Sequence, residues 1–292
     1  MQKKPHYISI AEVFLNQISR AIEHRAPEIQ DGLDRMNKWL ENHRPAVQKG
    51  VEFLQNINKI DWDEAIRRLN AIPDLSKKSM IFLLSKGWFF GWYDSLSDLL
   101  TLIEKLDSIA PKDVDELMAK YYRNNIDSVE LKLIQRYPKR SEAISAAFMA
   151  HKNLGDVGYF LSIPVFIAQA DGLLSEILKI ESPLSTHKPT KEMKAMLALR
   201  PALDSDQELS DLLHPFLIML DSDLLKSKSK RDKEMIQTGE AFIGLNRHQV
   251  MHGECSNYGS EINSLKAFSF LAFIGLHLPM MLEDKNITIP KT

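Results

Sequence analysis

The chain has 292 residues, enough for one large domain or two ordinary domains with a substantial buried core. Its 37 basic and 39 acidic side chains give a formal net charge of −2, which excludes nucleic-acid binding by a bulk positive field and restricts any RNA contact to a local patch. The single cysteine, Cys255, excludes an internal disulfide. Because the first residues also lack the apolar segment of a signal peptide, we expect a reducing, cytoplasmic location.

Helical periodicity of apolar residues runs along most of the chain, and no sustained alternation typical of strands occurs. Few glycines and many Leu, Ile, Ala, Lys and Glu residues also favour helix, so we predict an all-α protein. The first helices are expected around residues 13–22 and 33–40, and another ends near Pro73. The segment 77–106 is expected to form one or two helices, interrupted around Gly87 to Gly91.

The strongest punctuation in mid-chain is "RYPKRSEAISAAF". Pro138 ends one helix, and the side-chain oxygen of Ser141 is expected to cap the next. We therefore divide the chain into an N-terminal α-helical domain, residues 1–138, of unknown sensing or regulatory role, and a second α-helical domain, residues 139–292. Further helices are expected at about 141–154, 159–178 and 206–225.

The most apolar run is Ala267 to Leu282, "AFSFLAFIGLHLPMML". It is shorter than the roughly 20 residues that a membrane span needs, and it contains His277 and Pro279. We predict a buried core helix and no membrane partner.

A basic segment, "KSKSKRDK", spans Lys226 to Lys233 and is expected to precede a helix running into Asn246. It is either a solvated linker or a contact to the RNA backbone, in which case Lys230 and Arg231 would bind phosphates.

The densest cluster of reactive side chains is "GLNRHQVMHGECSNYGSE", residues 244–261. His248 and His252 are four apart, as in the H-E-x-x-H zinc proteases, but Gln249 replaces the catalytic glutamate. A metal site would need a third ligand; Glu254 and Cys255 are nearby, but Gly253 is expected to end the helix before them. Cys255 as a nucleophile with His252 as its base has no oxyanion-hole signature beside it. These interpretations remain open but weaker, and we predict no metal and no cofactor.

Arg247 and His252 favour phosphate chemistry. A guanidinium binds phosphate and its transition-state charge, and an imidazole exchanges protons near neutral pH. Such a spacing arises about once by chance in a chain of this composition, so its context must carry the argument. Residues five apart diverge by about 140° on an ideal helix, so a helix end or a second subunit must complete the site.

After Gly253, a loop through Tyr258 and Gly259 is expected to lead to a helix capped by Ser260. This context resembles a known family. "LNRHQVMHG" followed by "YGSEINSLKAFSFL" is similar to the C-terminal end of HEPN-superfamily domains, whose signature is R-x4-6-H with Asn, Asp or His commonly after the arginine. The stretch Ala150 to Ile177, "AHKNLGDVGYFLSIPVFIAQADGLLSEI", is similar to an upstream helical part of an abortive-infection-like bacterial group. The resemblance covers about the last 150 residues.

The resemblance implies a small helical bundle that dimerises and cleaves RNA without metal, as a toxin or an antiphage-defence effector. Arg247 would hold the scissile phosphate and His252 would be the acid or base. Asn246 and His248 would be accessory residues, and Asp171 on an earlier helix would orient the arginine.

The implied partners are the RNA substrate, a second copy of the chain, and an antitoxin or regulatory protein. Lys266 either contacts the RNA or extends from its helix to solvent. Because some superfamily members are inactive, a non-catalytic HEPN-like module that binds protein or RNA is the alternative.

Overall fold

The computed structural model describes residues 75–91, 96–187, 190, 192–205, 218 and 222–284. Of these, 75% are helical and none lies in a strand, which confirms the all-α prediction for this part of the chain. The helices expected around 13–22, 33–40 and before Pro73, and most of the one expected at 206–225, lie outside the described residues.

Numbered along the described residues, the helices are α1 (75–85), α2 (Leu96–Ser108), α3 (Val114–Arg136), α4 (Ser141–Asn153), α5 (Gly155–Leu178), α6 (Lys194–Ser205), α7 (Lys228–Thr238), α8 (Arg247–Met251), α9 (Glu261–Ala272) and α10 (Leu278–Asp284). Short 3₁₀ turns, Pro111–Asp113 and Pro138–Arg140, precede α3 and α4. A π-helical turn, Phe273–His277, joins α9 to α10, so residues 261–284 form one continuous helical element.

The core lies where α4, α5 and α9 meet. The ring of Phe148 in α4 packs edge-on against Phe166 of α5 and Phe268 of α9, with centroids 5.0 Å apart in both pairs. Gly158 brings α5 against α4, because a Cβ there would overlap the carbonyl oxygen of Ala150. The close contact of these helices fixes the frame that carries the later residues.

The aromatic segment after α1 belongs to the same core. Trp88 is fully buried and stacks on Tyr122 of α3, with ring centroids 5.7 Å apart, and Tyr122 packs edge-on against Phe268. The described residues on both sides of position 138 therefore share one core. The division into two domains stays a prediction, since residues 1–74 lie outside the described part.

Two of the three local helix signals behave as predicted. The helix α3 ends at Arg136, just before Pro138, and the Oγ of Ser260 accepts a hydrogen bond from the backbone N–H of Asn263 to cap α9. The prediction that Ser141 caps α4 was wrong. Its hydroxyl donates to the carbonyl of Pro138 at 2.8 Å, because the 3₁₀ turn Pro138–Arg140 already leads the chain into the helix.

The basic segment differs from its prediction as well. Most of it lies inside α7, whose N-terminus is capped by Ser227, rather than before a helix. The helix ends at Thr238 and does not run into Asn246, because Gly239 adopts a left-handed conformation with φ of 73°. Residues 239–246 form a non-helical connection to α8.

Two helical stretches among the described residues are long and apolar enough to cross a membrane by length and composition alone. In the most apolar 18-residue window of the stretch Glu261–Glu283, 94% is buried inside the protein, which confirms the predicted core helix at Ala267 to Leu282. In the corresponding window of the other stretch, Gly155–Leu178, 44% is buried. Because core helices of soluble proteins pass the same test, the location of the protein stays a prediction.

Candidate functional site

Helix α8 is held in place by Asn246, which caps its N-terminus. The side-chain oxygen of Asn246 accepts from the backbone N–H of Gln249 at 3.3 Å and from Nη1 of Arg231 at 2.6 Å. Its amide nitrogen donates to the backbone carbonyls of Asp223 and Lys226. Asn246 is buried, and both polar atoms of its side chain are occupied in anchoring α8. Its predicted accessory role in catalysis would have to act through the position of Arg247.

Arg247 is the first residue of α8 and projects toward α5. Its backbone N–H donates to the carbonyl of Leu224 at 2.8 Å, and its guanidinium Nη2 donates to Oδ2 of Asp171 at 2.7 Å. The arginine side chain remains 32% exposed. The structure therefore brings together the two residues that the resemblance pairs, although they lie 76 positions apart.

Asp171 has one oxygen occupied and one that has no partner. Its Oδ1 is buried and receives no hydrogen bond among the described residues. The nearby guanidinium of Arg140, which lies against Gly172, bonds to Gln169 and Glu176 instead. An unsatisfied buried acceptor is unfavourable, so no described group offsets the desolvation of this oxygen.

His248 and His252 lie side by side at the surface. Their ring centroids are 4.3 Å apart and both side chains are exposed. The Nε2 of His248 is 3.2 Å from a carboxylate oxygen of Glu254. His252 ends α8 and is followed by Gly253, whose φ of 69° turns the chain away, as predicted. The two imidazoles are therefore accessible to a ligand from solvent.

In the described part of the chain, the side chain of Arg247 is partly exposed and that of His252 is exposed. Two cavities, of about 510 and 470 Å³, adjoin the segment that leads into α8, and neither is lined by Arg247 or His252.

The residues considered for a metal site and for a cysteine nucleophile are arranged as follows. Among the described residues, no group of three His, Cys, Asp or Glu side chains could hold a metal ion. The thiol of Cys255 donates to the side-chain oxygen of Asn257 at 2.9 Å. Glu254, the third ligand considered for a metal site, lies between His248 and Arg231.

The three predicted RNA-contacting cations are in different environments. Lys230 is exposed on α7. Arg231 is 5% exposed, lies 5.7 Å from the ring of Phe242 and bonds to Asn246, so its burial conflicts with the predicted phosphate contact. Lys266 pairs with Asp115 at 3.1 Å, away from the imidazoles, and lines the larger cavity.

Sequence reasoning missed the Arg231–Asn246 hydrogen bond and the position of Glu254 between two basic residues. The first joins positions 15 apart in different elements, and no periodicity or spacing rule relates such positions. The only local signal was the N-capping preference of asparagine before "RHQV".

Comparison with known proteins gives no further identification: no protein-family model, curated protein or solved structure matches the chain.

Proposed function

We propose that the chain is a metal-independent endoribonuclease of the HEPN type, acting in antiphage defence or a toxin-type growth arrest. One observation carries the proposal: the guanidinium of Arg247 is oriented by Asp171 at 2.7 Å yet is still partly exposed, on the same short helix as two exposed imidazoles. An oriented cation beside accessible proton-transfer groups is the minimal apparatus for phosphodiester cleavage without metal.

Arg247 binds the scissile phosphate. Its Nη2 is engaged by Asp171, and a guanidinium has five N–H donors in a fixed fork, so the remaining donors are available for two phosphate oxygens. The ion pair limits the rotation of the arginine side chain and orients the fork before the substrate arrives. The same donors stabilise the extra negative charge of the pentavalent transition state.

The imidazoles transfer the protons. The ribose 2′-oxygen attacks phosphorus and gives its proton to a base, while the bond from phosphorus to the 5′-oxygen breaks and that oxygen receives a proton from an acid. The products are a 2′,3′-cyclic phosphate and a 5′-hydroxyl. His252 takes one of these roles, and His248, with its ring 4.3 Å away, is positioned to take the other.

A second copy of the chain completes the cleft. The outer face of α5 exposes Leu154, Val157 and Leu161, of which Val157 is 67% exposed. These residues recur at spacings of three and four, so they form one stripe, and the same spacing leads along the helix to Asp171. An exposed apolar stripe on the helix that also carries Asp171 favours a homodimer in which two Asp171–Arg247 pairs face one RNA strand.

The direct test incubates purified full-length protein with total RNA in EDTA, beside Arg247→Ala, His252→Ala and a control, His187→Ala, which changes a histidine outside α8. We expect the wild type and the control to leave 2′,3′-cyclic phosphate ends. Both α8 variants should lose roughly 10²-fold or more in rate, because each removes a group that acts in the transition state. Cleavage that needs a metal, or that survives both substitutions, would overturn the proposal.

The second candidate is a non-catalytic HEPN-like module that binds protein or RNA. The absence of Arg247 and His252 from the lining of the two described cavities favours it, since binding does not require an enclosed cleft. In that case Arg247→Ala would weaken the binding of RNA or a partner in a gel-shift or pull-down assay, and the wild type would cleave no RNA.

A further inference from the structure

The larger cavity beside the site has two walls of different character. Its volume is about 510 Å³, within the range of small-molecule sites. One wall comes from the turn after α1, residues 85–87, and from the start of α3. The other comes from residues 223–224 and 243–245, and α9 contributes Ile262 to Lys266.

The charge in this cavity is not balanced. Lys86, Lys112 and Lys266 line it together with two carboxylates, Asp115 and Asp223. Both carboxylates already have cationic partners, since Asp115 pairs with Lys266 at 3.1 Å and Asp223 pairs with Lys226 at 2.9 Å.

The ammonium groups of Lys86 and Lys112 form no ion pair with any described residue. They come from different elements, the turn after α1 and the 3₁₀ turn before α3. Two cations that no described carboxylate neutralises, at one cavity, suit a ligand with two negative charges better than one with a single charge.

Apart from the ion-paired Asp223, the side chains of the opposite wall are apolar. Leu224 and Leu245 are almost completely buried, and Ile243 is 95% exposed at the edge of the cavity. An exposed isoleucine beside an apolar wall favours a ligand with an organic body as well as a charged group. We propose that this cavity binds a small organic phosphate, with the phosphate at Lys86 and Lys112 and the apolar part against Leu224 and Ile243.

The same cavity wall holds Arg247 in place. Gly244 lies directly against Asp223, because a Cβ on Gly244 would come within 2.5 Å of Oδ2 of Asp223. Two hydrogen bonds join residues 223–224 to the start of α8. The carbonyl of Leu224 accepts from the backbone N–H of Arg247, and the side-chain amide of Asn246 donates to the carbonyl of Asp223. A ligand that orders residues 223–224 and 243–245 therefore also orders the start of α8. The organic phosphate is a regulator of the site, and this part of the inference rests on the proposed nuclease function.

Calorimetric titration of the full chain with phenyl phosphate, inorganic phosphate and benzoate tests the binding. We expect saturable binding of phenyl phosphate, and at least fivefold weaker binding of inorganic phosphate, which lacks the organic body, and of benzoate, which has a single charge. Lys86→Met and Lys112→Met should each weaken phenyl phosphate binding by about tenfold. Lys120→Met, an exposed lysine of α3 outside the cavity, should leave it unchanged.

Three results would overturn the proposal: no saturable binding of phenyl phosphate, equal affinity in both cavity variants and the wild type, or equal affinity for inorganic phosphate and phenyl phosphate. Each would remove one of its premises, namely the cavity, its cations or its apolar wall.

Hydrogen exchange separates the regulation from the chemistry. Saturating phenyl phosphate should slow exchange of the backbone amides in residues 243–250, and Lys112→Met should abolish that protection. If the ligand binds and protects α8 but the chain cleaves no RNA, the nuclease proposal fails and the binding site stands. If the chain cleaves RNA but phenyl phosphate neither binds nor changes exchange, the cavity proposal fails alone.

Discussion

The buried histidine of the core and the paired histidines of α8 show that the surroundings of a histidine determine its role. His151 of α4 is 7% exposed, and its Nδ1 lies 2.8 Å from the hydroxyl of Ser264, which in turn lies 2.7 Å from the hydroxyl of Ser162. These hydrogen bonds join α4, α5 and α9 at the centre of the fold. His248 and His252, by contrast, are exposed at the edge of the molecule.

Burial gives His151 a structural role. It lowers the pKa of His151 to about 4, with smaller effects from Glu261, which raises it, and from Lys152 and Arg123, which lower it. A histidine that stays neutral and buried cannot exchange protons with a substrate at neutral pH. A lowered pKa by itself therefore does not identify a catalytic histidine in this molecule, whereas accessibility beside an oriented cation is the stronger indication.

The largest effect that separates the two regions is an acid-induced loss of stability. The folded pKa of His151, about 4, lies below its ordinary value of 6.5, so this residue stabilises the fold above pH 6.5, and the contribution is lost as the pH falls toward 4. We expect His151 to account for a loss on the order of 3 kcal/mol in the free energy of unfolding across that window.

Denaturant unfolding at pH 7 and pH 4 measures this loss, with His151→Phe as the comparison. The lowered pKa of Glu261, which results from its hydrogen bonds to Arg123, makes acid destabilise both proteins in the same direction. The difference between them isolates His151. If the variant loses as much stability as the wild type, the histidine is not the cause.

A side chain added at the close contact between α4 and α5 should also destabilise the core. In Gly158→Ala the new methyl group meets the carbonyl oxygen of Ala150, so the helices must separate. We expect a loss of about 2 kcal/mol, because overpacking outweighs the better helix propensity of alanine. Thermal unfolding measures it, with Gly155→Ala as the comparison, where a Cβ meets no atom within 4 Å but strains a positive φ. A rise in melting temperature for Gly158→Ala would contradict this packing.

At the surface site the expected effect is on activity rather than stability. Asp171→Asn keeps the shape of the side chain but removes the charge that orients Arg247, so RNA cleavage should fall by roughly 10- to 100-fold. The melting temperature should change little, because the ion pair is partly exposed. Initial rates on a labelled RNA measure the effect, with Glu176→Gln, the partner of Arg140, as a control. Unchanged cleavage in Asp171→Asn would leave that carboxylate without a role in the site.

The smallest expected effect concerns the outer face of α5. A charge placed in its apolar stripe, Leu161→Glu, should weaken self-association at least tenfold, since a carboxylate would be desolvated in the interface. Sedimentation of the variant measures this against Leu131→Glu, an equally exposed leucine on α3. If both variants sediment as the wild type does, the stripe is not the dimer contact.

Much of the helical frame could be predicted from local sequence signals. The end of α3 before Pro138, the cap at Ser260 and the turn at Gly253 each depend on the conformational limits of one residue. The wrong prediction at Ser141 also has a local cause. A 3₁₀ turn precedes the helix, so the hydroxyl of Ser141 donates to the nearby carbonyl of Pro138. The candidate site was harder to predict from local sequence signals. Asp171 was assigned by resemblance, and Arg231 was assigned to RNA because its neighbours in the sequence are basic.

The sequence by itself determined that the described part is helical, that residues 267–282 are buried, and that Arg247 and His252 lie close together along the chain. Only the tertiary structure decided that Asp171 meets Arg247, that Arg231 is buried against Asn246, and that two lysines which pair with no described carboxylate face one cavity. Periodicity and capping act within a few residues, whereas these contacts join positions that only the packing of helices against a common core brings within hydrogen-bond distance.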